Sequence, residues 1–325
     1  MDADLISVIV PSLNHRAFIG AAIESIFHQT YPAIEIIVVD DGSTDGTPAW
    51  LRQVYGTRIT QLVTQENLGA HSAINEGMGV ARGRYLAILD SDDVFVPTRL
   101  STLVEAIRLN SWDIAFSNLI FVGADGRALT KGSVNASYSR KLEQFSNSSA
   151  EEALVCENIA ITTSNFIAKR ELFDQVGKFR GLRYCHDWDF LLRCVGRCKI
   201  GWLREPLLHY RLHEHNTIHE GKGWRLSTEN ALVYVLFLLE GKGNYLALTG
   251  NRVLDSESLE PLVVTWLFAE ARRVGPEELL RQAESGELHH RVGEALNKLR
   301  VPSGFSARRI LKRIRKSRLA ALFRL

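Results

Sequence analysis

The stretch Arg84-Tyr85-Leu86-Ala87-Ile88-Leu89-Asp90-Ser91-Asp92-Asp93 constrains this chain more than any other. A continuous apolar run bounded by polar residues has the pattern of a strand buried on both faces, the kind found inside parallel sheets. It stops abruptly in three carboxylates. In open α/β sheets ligands sit just outside the carboxyl ends of such strands, so Asp90, Asp92 and Asp93 fall where a ligand would bind. Carboxylates this close repel one another unless a cation lies among them. Hard oxygen donors suit Mg²⁺ or Mn²⁺, which in turn suit a diphosphate. The alternative for this stretch alone is a solvated turn capping the next helix, where Asp serves well.

The rest of the first half repeats that design. Ser7-Val8-Ile9-Val10 is a buried strand ended by Pro11-Ser12-Leu13-Asn14, and the spacing of Phe18, Ala21, Ala22 and Ile26 predicts a helix over 17–28. Ile34-Glu35-Ile36-Ile37-Val38-Val39 is a second strand, ending in Asp40-Asp41-Gly42-Ser43-Thr44-Asp45-Gly46. A short helix over 48–54 and a third strand over 59–63 lead to Asn67-Leu68-Gly69, and a helix over 71–81 precedes the opening strand. Such alternation implies a parallel sheet with right-handed crossovers. Then come a helix over 100–109, a strand over 113–122 and a hairpin turn at Ala124-Asp125-Gly126-Arg127. Residues 132–149 are Ser/Asn-rich and are expected to form a mobile loop. A strand over 162–168, helices over 171–176 and 187–195 and a strand over 207–212 follow. Beyond Gly223 only helices are expected, over 224–239, 258–273, 276–284, 288–299 and from Ser306. The expected division is an α/β domain at 1–220 and a helical region at 221–325.

A chain of 325 residues, 46% hydrophobic and 23% charged, has room for a large core and the composition of a soluble globular protein. It contains no apolar run of the roughly 18 residues that span a membrane. Met1-Asp2-Ala3-Asp4 lacks the basic start of a signal peptide, so a cytoplasmic location is expected. Cys156, Cys185, Cys194 and Cys198 have no zinc-ribbon spacing and read as reduced thiols. The net charge of +2 hides a split: residues 295–325 carry ten Lys/Arg and no Asp/Glu, leaving 29 basic against 37 acidic residues before them. From Ser306 to Leu325 paired basic and apolar residues recur at helical spacing. That pattern suits an interfacial helix on an anionic membrane surface, with a terminal helix packed on the body as the alternative. Sparse aromatics and an acidic body argue against nucleic acid.

Two strand ends are therefore acidic, Asp40-Asp41 and Asp90-Ser91-Asp92-Asp93. The absence of Gly-x-Gly-x-x-Gly after the first strand disfavours a dinucleotide fold. Val8-Ile9-Val10-Pro11 with Asn14, Val38-Val39-Asp40-Asp41-Gly42-Ser43-Thr44-Asp45, Glu66-Asn67-Leu68-Gly69 with Asn75, Leu89-Asp90-Ser91-Asp92-Asp93, His186-Asp187-Trp188-Asp189 and Tyr210-Arg211-Leu212-His213 occur in this order. Together they resemble the family 2 glycosyltransferases over about residues 5–217.

The resemblance implies the GT-A fold, Rossmann-like, with a mostly parallel sheet flanked by helices, here carrying an all-helical C-terminal appendage. It also implies an inverting, metal-dependent transfer from a nucleotide-diphospho-sugar, UDP-sugars favoured, to a hydroxyl of a glycan or lipid-linked acceptor. Pro11, Asn14, Asp40, Asp41, Asn67, Gly69, Asp90, Ser91 and Arg211 would bind the nucleotide-sugar. Asp92 and His213 would hold Mn²⁺ or Mg²⁺. Asp187 would be the general base. The family's usual Glu before that base is His186 here, and a protonated His would lower the pKa of Asp187. The common Arg of the helix after Gly69 is Ile74. Asp45 and Asp93 are expected to be caps, Asp189 to point away from Asp187, and His209, His215 and His219 to be surface or core residues. Two other readings stay open: a sugar nucleotidyltransferase, although the first strand lacks the Gly-rich, Arg/Lys-bearing loop for a triphosphate, and a non-catalytic carbohydrate- or partner-binding module.

Overall fold

The computed structural model describes residues 3–217, 224–240 and 260–298. It divides into two compact units, Met1–Arg180 with His186–Glu214, and Gly181–Cys185 with His215–Leu325.

The first unit is built on an eight-stranded sheet: β1 (Ile6–Ser12), β2 (Ile34–Asp40), β3 (Gln61–Thr64), β4 (Tyr85–Ile88), β5 (Val94–Phe95), β6 (Ile114–Val122), β7 (Phe166–Lys169) and β8 (Ile200–Arg211), in the order β3-β2-β1-β4-β7-β6-β8-β5. β1 and β4 are buried along their whole length, as continuous Val/Ile/Leu-rich runs require. β3, β2, β1 and β4 run parallel. The other half departs from that rule: β7 is antiparallel to both β4 and β6, and β5 is antiparallel to β8. The register pairs Ser12 with Asp40 and Ile9 with Ile88, so the carboxyl ends of three parallel strands reach one edge of the sheet.

The crossovers are α1 (Ile19–Phe27), α2 (Thr47–Tyr55) and α3 (Ala70–Val80). A Cβ on Gly77 of α3 would collide with Ile9 on β1, so this helix lies on the sheet at a distance only glycine allows. α4 (Arg99–Asn110) follows β5. The turn after β6 is present, closed by Gly126 N–H to the Gly123 carbonyl (2.9 Å) and Gly123 N–H to the Arg127 carbonyl (2.9 Å).

The segment 132–149, expected as a loop, instead contains α5 (Ser133–Gln144). Its only buried side chain is Tyr138, so its sequence carries no apolar stripe by which a helix could be read. Ser149 then starts α6 (Ala150–Cys156) through a capping box with Glu152. The unit is completed by α7 (Arg170–Val176) and α8 (His186–Cys194).

The second unit contains α9 (Trp224–Leu239), α10 (Glu260–Val274), α11 (Pro276–Glu284) and α12 (Glu287–Lys298). Glu229 of α9, 1% exposed, accepts the backbone N–H groups of Arg183 (3.2 Å), Tyr184 (2.7 Å) and Cys185 (3.1 Å). These charge-assisted bonds explain how a carboxylate survives burial there. Among the described residues no helix is long and apolar enough to cross a membrane. The expected basic helix over 306–325 lies outside them.

Candidate active site

Two loops at the carboxyl ends of β1 and β2 are stitched to each other. Asn14, in the left-handed region at φ 54, donates its N–H to Ser43 Oγ (2.8 Å), and its Oδ1 accepts Thr44 N–H (2.8 Å). Asn14 thereby joins the loop after β1 to the loop after β2. Pro11 pairs with Val39 within the sheet and is buried. Asp45 accepts Arg16 N–H (2.9 Å) and both the N–H (3.0 Å) and hydroxyl (2.6 Å) of Thr47, tying down the start of α2 as a cap does.

The adjacent carboxylates Asp40 and Asp41 have different roles. Asp40 is 1% exposed; its Oδ1 accepts Ser43 N–H (2.9 Å), and its buried Oδ2 has no hydrogen-bond partner among the described residues. An isolated buried acceptor is costly. Asp41 is fully engaged: Oδ1 accepts Gln65 Nε2 (2.6 Å) and Leu68 N–H (2.9 Å), and Oδ2 accepts Gly69 N–H (2.9 Å). These bonds make Asp41 a scaffold of the Asn67-Leu68-Gly69 loop. Gly69 itself sits at φ 94, and Asn67 is exposed.

Beyond β4, Asp90 accepts the hydroxyls of Thr162 (2.8 Å) and Thr163 (2.9 Å), while its N–H donates to Ser164 Oγ (2.9 Å). Burial and the neighbouring Asp92 raise the pKa of Asp90 despite these donors. Nothing in the motif pointed to Thr162, Thr163 and Ser164; they arrive from the turn before β7. Asp92 Oδ2 lies 2.9 Å from His213 Nε2. Ser91, 1% exposed, bonds His15 Nδ1 at 2.8 Å. The ligating atoms of His15, Asp92 and His213 all lie within 4.8 Å of one another. One carboxylate and two imidazoles converging in this way fit a divalent cation. His15 carried no signal in the sequence, since only the fold brings the turn before α1 against the end of β8.

Asp93 is not a cap. It is 1% exposed, and its Oδ1 accepts Arg211 N–H (2.9 Å), because the short β5 folds back on β8 and turns this side chain inward. Burial and the charges of Asp92 and Asp90 push its pKa well up. The compensating charge is Arg99, also 1% exposed, whose pKa burial lowers to about 9. Arg211, expected at a diphosphate, directs Nε to the Asp92 carbonyl (2.7 Å) and Nη1 to the carbonyls of Gly123 (3.2 Å) and Ala124 (3.1 Å). It fastens the end of β8 to the acidic motif and to the turn after β6.

Asp187 lies in the first turn of α8 and is 5% exposed. Oδ2 accepts Asn158 Nδ2 (2.8 Å); Oδ1 is buried without a hydrogen-bond partner among the described residues. Burial raises its pKa, and the opposing pull of His186 and Asn158 does not reverse the direction. The lowering expected from His186 is thus outweighed by desolvation. Asp90 adds to the upward shift, so Asp187 and the acidic motif share one electrostatic neighbourhood. Asn158 also accepts Ile161 N–H (3.1 Å) in a turn where Ile161 adopts φ 74, a strained value for a β-branched residue. Asp189 points away as expected, held by Arg180 (2.9 Å) and Arg193 (2.9 Å).

The sheet is mixed and flanked by helices, with acidic residues at the ends of β2 and β4 and in the first turn of α8. The Glycosyl transferase family 2 model matches residues 7–177, more than half of the chain, and the protein belongs to that family. The succinoglycan biosynthesis protein ExoO of Rhizobium meliloti is 33% identical over 219 residues, covering 64% of this chain but 60% of that relative. Staphylococcus aureus TarS 1–349, solved in complex with UDP-GlcNAc, superposes with a TM-score of 0.58 at 19% identity over 88% of each chain. The mannosyltransferase PcManGT of Pyrobaculum calidifontis, solved with GDP-Man and Mn²⁺, gives 0.52 at 18% identity over 88% of this chain and 81% of its own. At such identities the likeness carries the fold, which is GT-A.

Proposed function

We propose that the chain is an inverting, metal-dependent glycosyltransferase that moves a sugar from a nucleotide-diphospho-sugar to a hydroxyl of a glycan or glycolipid acceptor in cell-surface polysaccharide synthesis. The observation that carries this reading is the buried, unpartnered Oδ1 of Asp187 in the same electrostatic neighbourhood as Asp90. A carboxylate with one oxygen anchored by Asn158 and the other free is built to receive a proton. It would take that proton from the acceptor hydroxyl as the oxygen attacks the anomeric carbon.

The other residues divide between holding the donor and shaping its pocket. The free Oδ2 of Asp40 would accept the ring N–H of uracil, which favours a UDP-sugar. Asp92 and His213 would hold Mn²⁺ or Mg²⁺, which when bound supplies Lewis-acid compensation for charge on the departing diphosphate. Asp90 and the Thr162 and Thr163 hydroxyls fix the loop that presents Asp92. Arg211 would act from behind, keeping that loop and His213 in register. The names of the relatives support this reading, since TarS was solved with a UDP-sugar, PcManGT with Mn²⁺, and ExoO serves polysaccharide biosynthesis. The basic segment 306–325 would add a foothold on anionic lipid at the inner face of the membrane.

A panel of UDP- and GDP-sugars, assayed for slow release of the nucleoside diphosphate with Mn²⁺, tests the proposal. Release from a UDP-sugar is expected. Pyrophosphate release from a sugar phosphate and a nucleoside triphosphate would instead identify a nucleotidyltransferase.

A further inference from the structure

Among the described residues, His15, Asp92 and His213 form the one group of three such side chains whose ligating atoms converge. Each of the two imidazoles is held in place. The His213 ring stacks on Phe18, with centroids 4.6 Å apart and planes at 28°. His15 stands nearly perpendicular to His213, at 5.6 Å and 87°. The backbone under His15 is fixed as well, its carbonyl accepting the N–H groups of Phe18 and Ile19 at 2.9 Å each.

The hydrogen bond to Ser91 gives this arrangement its chemical direction. His15 Nδ1 and Ser91 Oγ are 2.8 Å apart, and in the tautomer whose Nδ1–H donates to that hydroxyl the Nε2 lone pair is left for an ion. Metal-ligating histidines are generally anchored through their second nitrogen in this way, which fixes both tautomer and ring orientation. Ser91 is buried and lies between Asp90 and Asp92, so one tripeptide presents a carboxylate ligand and orients an imidazole.

We propose that His15 is a third protein ligand to the cation, and that the resulting set of two imidazoles and one carboxylate selects Mn²⁺ over Mg²⁺. The inference rests on the metal-dependent reading above. Mg²⁺ keeps an oxygen shell and dehydrates reluctantly, whereas Mn²⁺, although the weakest nitrogen binder of the first-row divalent series, takes imidazole nitrogen more readily than Mg²⁺ does. A site with one imidazole would discriminate weakly; a second sharpens the choice.

The test uses the full chain with UDP, titrated with Mn²⁺ and with Mg²⁺ by calorimetry, and electron spin echo spectroscopy of the Mn²⁺-loaded protein. Wild type is expected to bind Mn²⁺ at least about tenfold more tightly than Mg²⁺ and to show two directly bound imidazole nitrogens. His15→Gln should lose Mn²⁺ affinity by about tenfold, the scale seen when metal-site partners are removed, with a smaller change for Mg²⁺ and one remaining nitrogen. A single bound nitrogen in wild type, or unchanged Mn²⁺ affinity in the variant, overturns the role of His15 and leaves the metal-dependent reading standing. Failure of wild type to bind Mn²⁺ in the presence of UDP overturns both. The nitrogen count in wild type decides the matter even if the variant does not fold.

Discussion

A carboxylate serves as a base near neutral pH only when its protonated form is stabilised relative to water. Burial raises the pKa of Asp187, and its Oδ1 is the atom proposed to take the proton. Asp187→Asn should lower turnover by about 10²- to 10⁴-fold while nucleotide binding stays intact, measured by diphosphate release and by UDP titration. Because the folded-state pKa of Asp187 is raised, the rate should fall on the acid side as the carboxyl protonates. His186 opposes that rise, so His186→Gln should move the acid limb of the pH–rate profile to higher pH. A limb that stays put would detach His186 from the base. Asp90 and Asp92 were legible in the sequence because consecutive carboxylates at a strand end announce their own repulsion. His15 and Asn158 were not, since isolated polar residues acquire meaning only from what the fold sets beside them.

Elements show the same division between local pattern and tertiary context. β1, β2 and β4 were readable because strands buried on both faces are written as unbroken apolar runs, and Asp40-Asp41 followed directly from where β2 stops. β7 and β5 gave no sign of running antiparallel, since strand direction is not encoded in a four- or two-residue segment. The sequence of α5 has the pattern of a loop because a helix that buries one side chain carries no apolar stripe. Asp41 belongs to this scale: besides the nucleotide contact proposed for it, it fastens the loop between β3 and α3. Asp41→Ala would strand the N–H groups of Leu68 and Gly69 and the Gln65 amide. A loss of about 2–3 kcal/mol in denaturant unfolding is expected, with the smaller, exposed part of the loop first to lose protection.

At the scale of the whole molecule, the sequence divides its charge between an acidic body and a tail with ten Lys/Arg after Lys298 is included. Flotation with liposomes containing anionic lipid should carry the full chain and leave behind a truncation ending before Ser306, with both retaining the same nucleotide affinity. Equal flotation of the two would assign lipid binding elsewhere. Donor recognition is the function proposed for the sheet edge, the acidic ends and the imidazoles together, and calorimetric titration of UDP with and without Mn²⁺ tests it most directly. The account predicts that Mn²⁺ tightens UDP binding by wild type and that Asp92→Asn removes this enhancement without unfolding the protein. No UDP binding in either condition would contradict it and leave a GT-A module without a donor.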